Sequence, residues 1–344
     1  MGVKRRIAMK KIIWFLPVFI LINLAKAGDV QLLKEARKYF SPLPELFPSD
    51  KNPLTPEKIK LGKILFYEKR ISIDGTTSCA KCHPIGYYGT DKLEKSRGNF
   101  SKENPRNAPT VLNSAGQITQ HWRGDREDVE DQAKRALLGK GSFGAPSYKW
   151  VEEKLKSIKG YEKLFKEAFP NEKNPINVDN YAKAIGAWER TLSTPSRFDK
   201  FLNGHVNALT EKEKRGLKEF ISVGCVSCHS GSLVGGTMYQ KFGLVEPYWK
   251  YTKSKKIDEG RYNVTKKEED KYVFKVPPLR NVEKTSPYFH DGSVKNLKKA
   301  IWIMGKVQLG KDLTKQQVSD IKAFLKSLTG QLSEDMITVP IMPE

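Results

Sequence analysis

Cysteine and histidine are scarce in this chain. It has four cysteines and five histidines among 344 residues, too few cysteines for a scaffold held together mainly by disulfides. Acid is also in deficit. Asp and Glu number 39 against 61 Lys and Arg, a formal charge of +22. Such a balance admits nucleic acid, an anionic membrane surface or an acidic protein partner. The basic residues are spread along helical stretches rather than clustered, and no nucleic-acid motif is present, so nucleic acid is set aside. A generally solvated surface is the simplest reading of the charge. Long apolar runs are missing after residue 27, so no membrane span is expected in the mature chain. The one apolar run, Ile12 to Ala25, follows Lys4, Arg5, Arg6, Lys10 and Lys11 and precedes Ala25-Lys26-Ala27. That is the pattern of a secretory signal peptide over 1–27. Six basic residues lie before Gly28, which leaves the exported chain at +16.

In an exported protein four cysteines first suggest two disulfides. Their spacing argues otherwise. All four fall in two units, Cys79-Ala80-Lys81-Cys82-His83 and Cys225-Val226-Ser227-Cys228-His229. Two residues between cysteines on a helical turn match the separation of the two haem vinyl groups, and the following histidine lies under the ring as an iron ligand. Zinc would need two further ligands near each pair. A redox dithiol would not need the histidine. Two covalently bound haem c groups are therefore expected, held by Cys79, Cys82 and His83 and by Cys225, Cys228 and His229. The sixth iron position decides the chemistry. The other histidines are His121, His205 and His290. Met304 is by default a core residue on a helix; as a thioether ligand it would instead make an electron-transfer haem of raised potential.

The pattern is mainly α. Thr55-Pro56-Glu57 opens a helix to about Tyr67, with Pro at the first helical position. Thr210 to Glu213 and Thr314 to Gln317 are capping boxes. Val151–Phe169, Val178–Leu192 and Leu297–Lys306 also read as helical. The attachment units lie 146 residues apart, and each half has a helix, a haem unit, a loop-rich stretch and further helix. This predicts two cytochrome c-like helical domains, 28–193 and 194–344, each wrapped around one haem that supplies much of its core.

Further stretches carry a family likeness: Asn107-Ala108-Pro109-Thr110-Val111-Leu112-Asn113, Trp122 with Gln132, Ala182-Lys183-Ala184-Ile185 with Glu189-Arg190-Thr191-Leu192, Val276-Pro277-Pro278-Leu279-Arg280-Asn281-Val282 and Pro287-Tyr288-Phe289-His290-Asp291-Gly292-Ser293. With the haem units they make the chain resemble the bacterial diheme cytochrome c peroxidases, a family that includes the methylamine-utilisation diheme enzymes. The resemblance runs from about Leu43 to Gly330. It implies a peroxidatic haem under His83 and an electron-transfer haem under His229, with Met304 as axial ligand and Trp122 between the haems. It also implies an interdomain calcium at Asn107, Thr285 and Pro287, the last two through carbonyl oxygens. Hydrogen peroxide would be the substrate, a small redox protein such as a cytochrome c the electron donor, and the periplasm the location. A homodimer is left open.

The chain departs from the family pattern on the distal side of the first haem. Asn99 stands, by spacing, where a histidine usually closes the resting iron. Ser142 stands for the usual distal glutamate and Ala136 for a proline. His121-Trp122-Arg123-Gly124-Asp125 replaces the usual Phe-Trp-Asp-Gly-Arg, and only Gln132 of the distal set is kept. Ser142 and Gln132 have no pKa near neutrality with which to move a proton; His121 could do so, or could be a polar residue beside the haem edge. Three functions stand: a peroxidase, which comes first; a diheme electron carrier or haem sensor that has lost efficient peroxidase activity; and a diheme oxidase of protein side chains. Met304 favours the first two. All of them require two haems. Denatured protein from a haem-attaching host should retain two per chain by pyridine haemochrome and mass, and one haem, or haem extractable into acidified solvent, would refute the attachment reading.

Overall fold

The computed structural model describes residues 27–344; the expected signal peptide, apart from Ala27, lies outside them. No described helix is long and apolar enough to cross a membrane. The fold is mainly helical, with one two-stranded antiparallel sheet, Tyr239–Lys241 against Val273–Lys275.

Each half is organised by one helix pair. In the first, Pro56–Phe66 crosses Val178–Glu189. In the second, Glu211–Ser222 crosses Lys315–Ser327. Glycine sits at both crossings. A Cβ on Gly62 would lie 1.8 Å from the Ala184 carbonyl oxygen, and one on Gly216 would lie 1.8 Å from that of Asp320. The backbones thus touch at one point in each half, a repeat of architecture that residue spacing barely shows. The helix starts follow local chemistry. Thr55 accepts from the Lys58 amide, while Thr210 and Thr314 close full capping boxes with Glu213 and Gln317. The single helical stretch expected over Val151–Phe169 is two helices, Tyr148–Lys156 and Gly160–Ala168. Ser157 ends the first by turning its hydroxyl back to the Lys154 carbonyl.

The first core gathers Leu65, Phe66, Phe165, Tyr181 and Trp188; the second gathers Phe198, Phe201, Phe220, Phe324 and Leu325. The chain ends cross between them. Leu32, Leu33, Ala36 and Phe40 pack in the second core, although they precede the first half. Leu332, Met336 and Met342 pack on the first core, where Arg70 donates to the Pro343 carbonyl at 2.9 Å. A cut at residue 194 therefore leaves each packed unit with a segment from the other end of the chain.

The junction itself is polar and fully bonded. Asn113 and Asn281, both left-handed at φ +60° and +62°, donate their amides to the Thr194 hydroxyl, each at 2.9 Å. The Asn113 side-chain oxygen accepts from the Thr194 amide, and that of Asn281 from the Gly330 amide. The asparagines lie at or next to the ends of the two stretches 107–113 and 276–282, one from each half. They meet on one buried threonine, a low-dielectric setting in which losing any one bond is costly.

Candidate haem sites and their shared wall

Both cysteine units form tight turns. Cys79–Cys82 is one helical turn, and the His83 amide donates to the Cys79 carbonyl at 2.9 Å. The His229 amide makes the same bond to Cys225 at 3.0 Å, after Gly224 has reversed the chain at φ +100°. All four cysteines are unpaired. Among the described residues, no three His, Cys, Asp or Glu converge as a metal cluster.

The histidines are oriented for ligation. His83 Nδ1 lies 3.1 Å from the Gly89 carbonyl, and His229 Nδ1 lies 3.4 Å from that of Val234. Nδ1 donating to a carbonyl fixes the neutral tautomer and leaves the Nε2 lone pair free for iron. Burial pushes both imidazoles down, His229 to about 4, which favours the unprotonated ring a ligand must be. Gly235 is required beside His229, since a Cβ there would meet Nδ1 at 3.1 Å and the Pro277 oxygen at 2.6 Å.

Each unit opens into a cavity. The first, of about 300 Å³, joins Cys79, Cys82 and His83 to the distal candidates His121, Gln132 and Ser142. The second, of about 230 Å³, joins Cys225, Cys228 and His229 to Met304 on helix Leu297–Leu309. The paired thiols and imidazole of each cavity suit a covalently attached haem, with a thioether added on the largely apolar wall of the second. Asn107 to Thr110 and Trp122 line both cavities. The Trp122 indole N–H donates to the Asn107 carbonyl at 2.9 Å, and the Lys275 amide donates to the Trp122 carbonyl at 2.8 Å. Asn107 meets the second half through its amide, bonded to the His290 carbonyl at 2.8 Å. Thr285 and Pro287 line the second cavity near this wall.

The distal side differs from the expectation in one respect. Asn99 does not line the first cavity. Its side chain is buried and donates to the carbonyls of Lys140 and Ser142 at 2.9 and 2.8 Å, holding the 140–142 loop in place. His121, in the left-handed region at φ +65°, turns its ring to Asp125, with Nδ1 3.3 Å from Oδ1. Burial opposes the Asp125 charge, but His121, Arg123 and Arg126 together hold that carboxylate well below its usual range. Asp125 is therefore a fixed anion behind the His121 imidazole. The sequence motif contained this pair, but the dyad becomes visible only once the turn is folded.

Two further groups were given no role in the sequence reading, although Glu189 falls in one of the stretches that carry the family likeness. Glu189 ends helix Val178–Glu189 beside the first cavity, buried, with only the Ser114 hydroxyl bonded to it, at 3.4 Å. Lys275 is buried on the wall of the second cavity. Only packing shows that both are buried.

A mainly helical chain with two such cavities on either side of one tryptophan has the framework of a diheme protein. Residues 56–207 match the family described as di-haem cytochrome c peroxidase. The chain is 41% identical to cytochrome c551 peroxidase of Nitrosomonas europaea over 84% of its length and 85% of that protein. It is likewise 41% identical to cytochrome c551 peroxidase of Pseudomonas aeruginosa, over 90% and 89%. A crystal structure of a MauG-like protein associated with microbial copper homeostasis superposes with a TM-score of 0.75 at 29% identity, covering 87% of this chain and 95% of that one. The chain belongs to the di-haem cytochrome c peroxidase family, and membership implies two haem c groups.

The buried Glu189 gives a measurable signature. Burial, reinforced by Glu130, raises its carboxyl from 4.5 to about 8. The native state then keeps a proton that the unfolded chain releases, so this group lowers stability progressively as pH rises from about 4.5 to about 8. Glu189→Gln should remove that slope. Its advantage over wild type should grow with pH to the order of a few kcal/mol by pH 8, read from denaturant midpoints across the range. Parallel curves would show that Glu189 is ionised in the native protein.

Proposed function

We propose that this protein reduces hydrogen peroxide to water with two electrons from a small redox protein such as a cytochrome c, and that it does so in the periplasm after removal of residues 1–27. Each haem would sit in its own helical unit, 28–193 and 194–344, with the terminal segments exchanged. The observation that carries the reading is the shared wall: two Cys-Cys-His cavities with Trp122 between them. Bound haem supplies the iron that accepts peroxide and the two centres that store its electrons. The chain supplies the rest. His83 would ligate the first iron. His229 and Met304 would ligate the second, and a thioether there favours the ferrous state and so an electron-accepting role. Trp122, hydrogen-bonded at both its indole and its carbonyl, is fixed as the path between them.

The distal residues must move a proton between the peroxide oxygens. Ser142 cannot, and Gln132 can only donate or accept a hydrogen bond. His121 has a carboxylate behind it, an arrangement that orients the imidazole for hydrogen bonding to peroxide. Asn107, Thr285 and Pro287 would hold a calcium ion through oxygen, clamping the first half to the second beside Trp122.

Ser142 favours a second reading, a diheme electron carrier with a weakened distal site. Peroxide-dependent oxidation of a reduced small cytochrome separates the two. The proposal expects catalytic turnover that falls about 100-fold or more in His121→Ala, the scale of a lost general acid–base group. With Asn99 engaged elsewhere, it also expects the fully oxidised protein to bind cyanide at the first haem without prior reduction. Absence of turnover in protein carrying two haems would leave the electron-carrier reading in its place.

A further inference from the structure

The second cavity is lined by 39 residues, none of them Asp or Glu. Its cationic side chains are Lys241, Lys275 and Arg280. Lys241 is exposed. Arg280 is fully engaged, donating to both Asp199 oxygens at 2.6 and 2.8 Å, to the Ser196 hydroxyl and to the Ser232 carbonyl. Lys275 is different. It is 5% exposed, and its ammonium donates to two neutral oxygens, the Gln117 side chain and the Thr119 carbonyl, the latter at 2.7 Å. No carboxylate pairs with it among the described residues.

A buried ammonium without an anion is costly, and proteins keep one only where something compensates it. Burial alone pushes Lys275 down to about 7, and no charged partner opposes that effect. Two neutral acceptors use two of its three N–H donors. The cavity has no acid of its own, yet haem brings two propionate carboxylates, which in such surroundings need a cation or strong donors.

We propose that Lys275 binds a propionate carboxylate of the second haem and so sets the charge balance of that haem beside Trp122. The strand positions it for this. Lys275 closes strand Val273–Lys275 opposite Tyr239, its backbone N–H donates to the Trp122 carbonyl, and both residues line the second cavity. The positive charge favours the reduced haem, whose iron carries one positive charge fewer, and it pins an ionised propionate. The competing role is mechanical: Lys275 ties residues 117–119 to the sheet and touches no haem group.

The proposal rests on the reading of this cavity as a haem site, so the haem count is taken on the same sample. Fewer than two haems per chain in the wild type means that reading has failed, not this one. The test is Lys275→Met in the diheme protein, with two readouts. The equilibrium constant for reducing the second haem should fall about tenfold, which is about 59 mV for one electron. In resonance Raman spectra, the propionate bending band of that haem should shift, because it reports hydrogen bonding to the carboxylate. A mechanical strut would leave that band in place, so an unmoved band in a folded diheme variant overturns the proposal whatever the potential does. If Lys275→Met does not fold, Lys275→Arg serves: a guanidinium in place of the ammonium should shift the band while the potential holds, and an unmoved band again overturns it.

Discussion

Everything in this molecule converges on one thin wall, the backbone of residues 107–110 with the Trp122 indole bonded to the Asn107 carbonyl. Two cavities can exchange electrons through it only if its geometry is held from both sides. The second half holds it through the His290 carbonyl and the Lys275 amide. Arg106, one residue before the wall, makes a part-buried ion pair with Asp258 at 2.6 Å. The asparagine pair on Thr194 locks the halves a few residues further on. These are hydrogen bonds and ion pairs in a largely desolvated junction, where geometry is specified sharply and a missing partner is costly.

The proposed division of labour rests on what else lines each cavity beside its histidine. The second offers Met304 among apolar side chains, a setting for an electron store. The first offers polar groups: His121, Gln132, Ser142, and Arg123 and Arg126 around Asp125. The first cavity thus brings a serine on the 140–142 loop together with a histidine–aspartate pair on the tryptophan turn. The loop carrying Ser142 is in turn held by the Asn99 amide.

Much of this was legible in the residues. The Cys-Cys-His units are local chemistry with a narrow set of uses, and the capping boxes at Thr210 and Thr314 act within four residues, so both could be read directly. The exchange of chain ends could not, because Leu32 and Phe40 look alike whichever core they join. The break at Ser157 was hidden by apolar periodicity that continues through it. Asn99 was placed by spacing alone, and spacing through a loop does not say which way a side chain turns. The burial of Glu189 and Lys275 was not legible, since burial of a single polar residue leaves no periodic trace.

The central claim is that the two haems differ in kind, with Met304 making the second one the electron store. Spectroelectrochemical titration of the wild type and Met304→His tests it most directly. The account predicts two separate one-electron steps in the wild type, and loss of the higher step in Met304→His. The near-infrared charge-transfer band of a methionine-ligated haem should vanish with it, since imidazole favours ferrous iron less than a thioether does. An unchanged upper potential together with an unchanged band would contradict it.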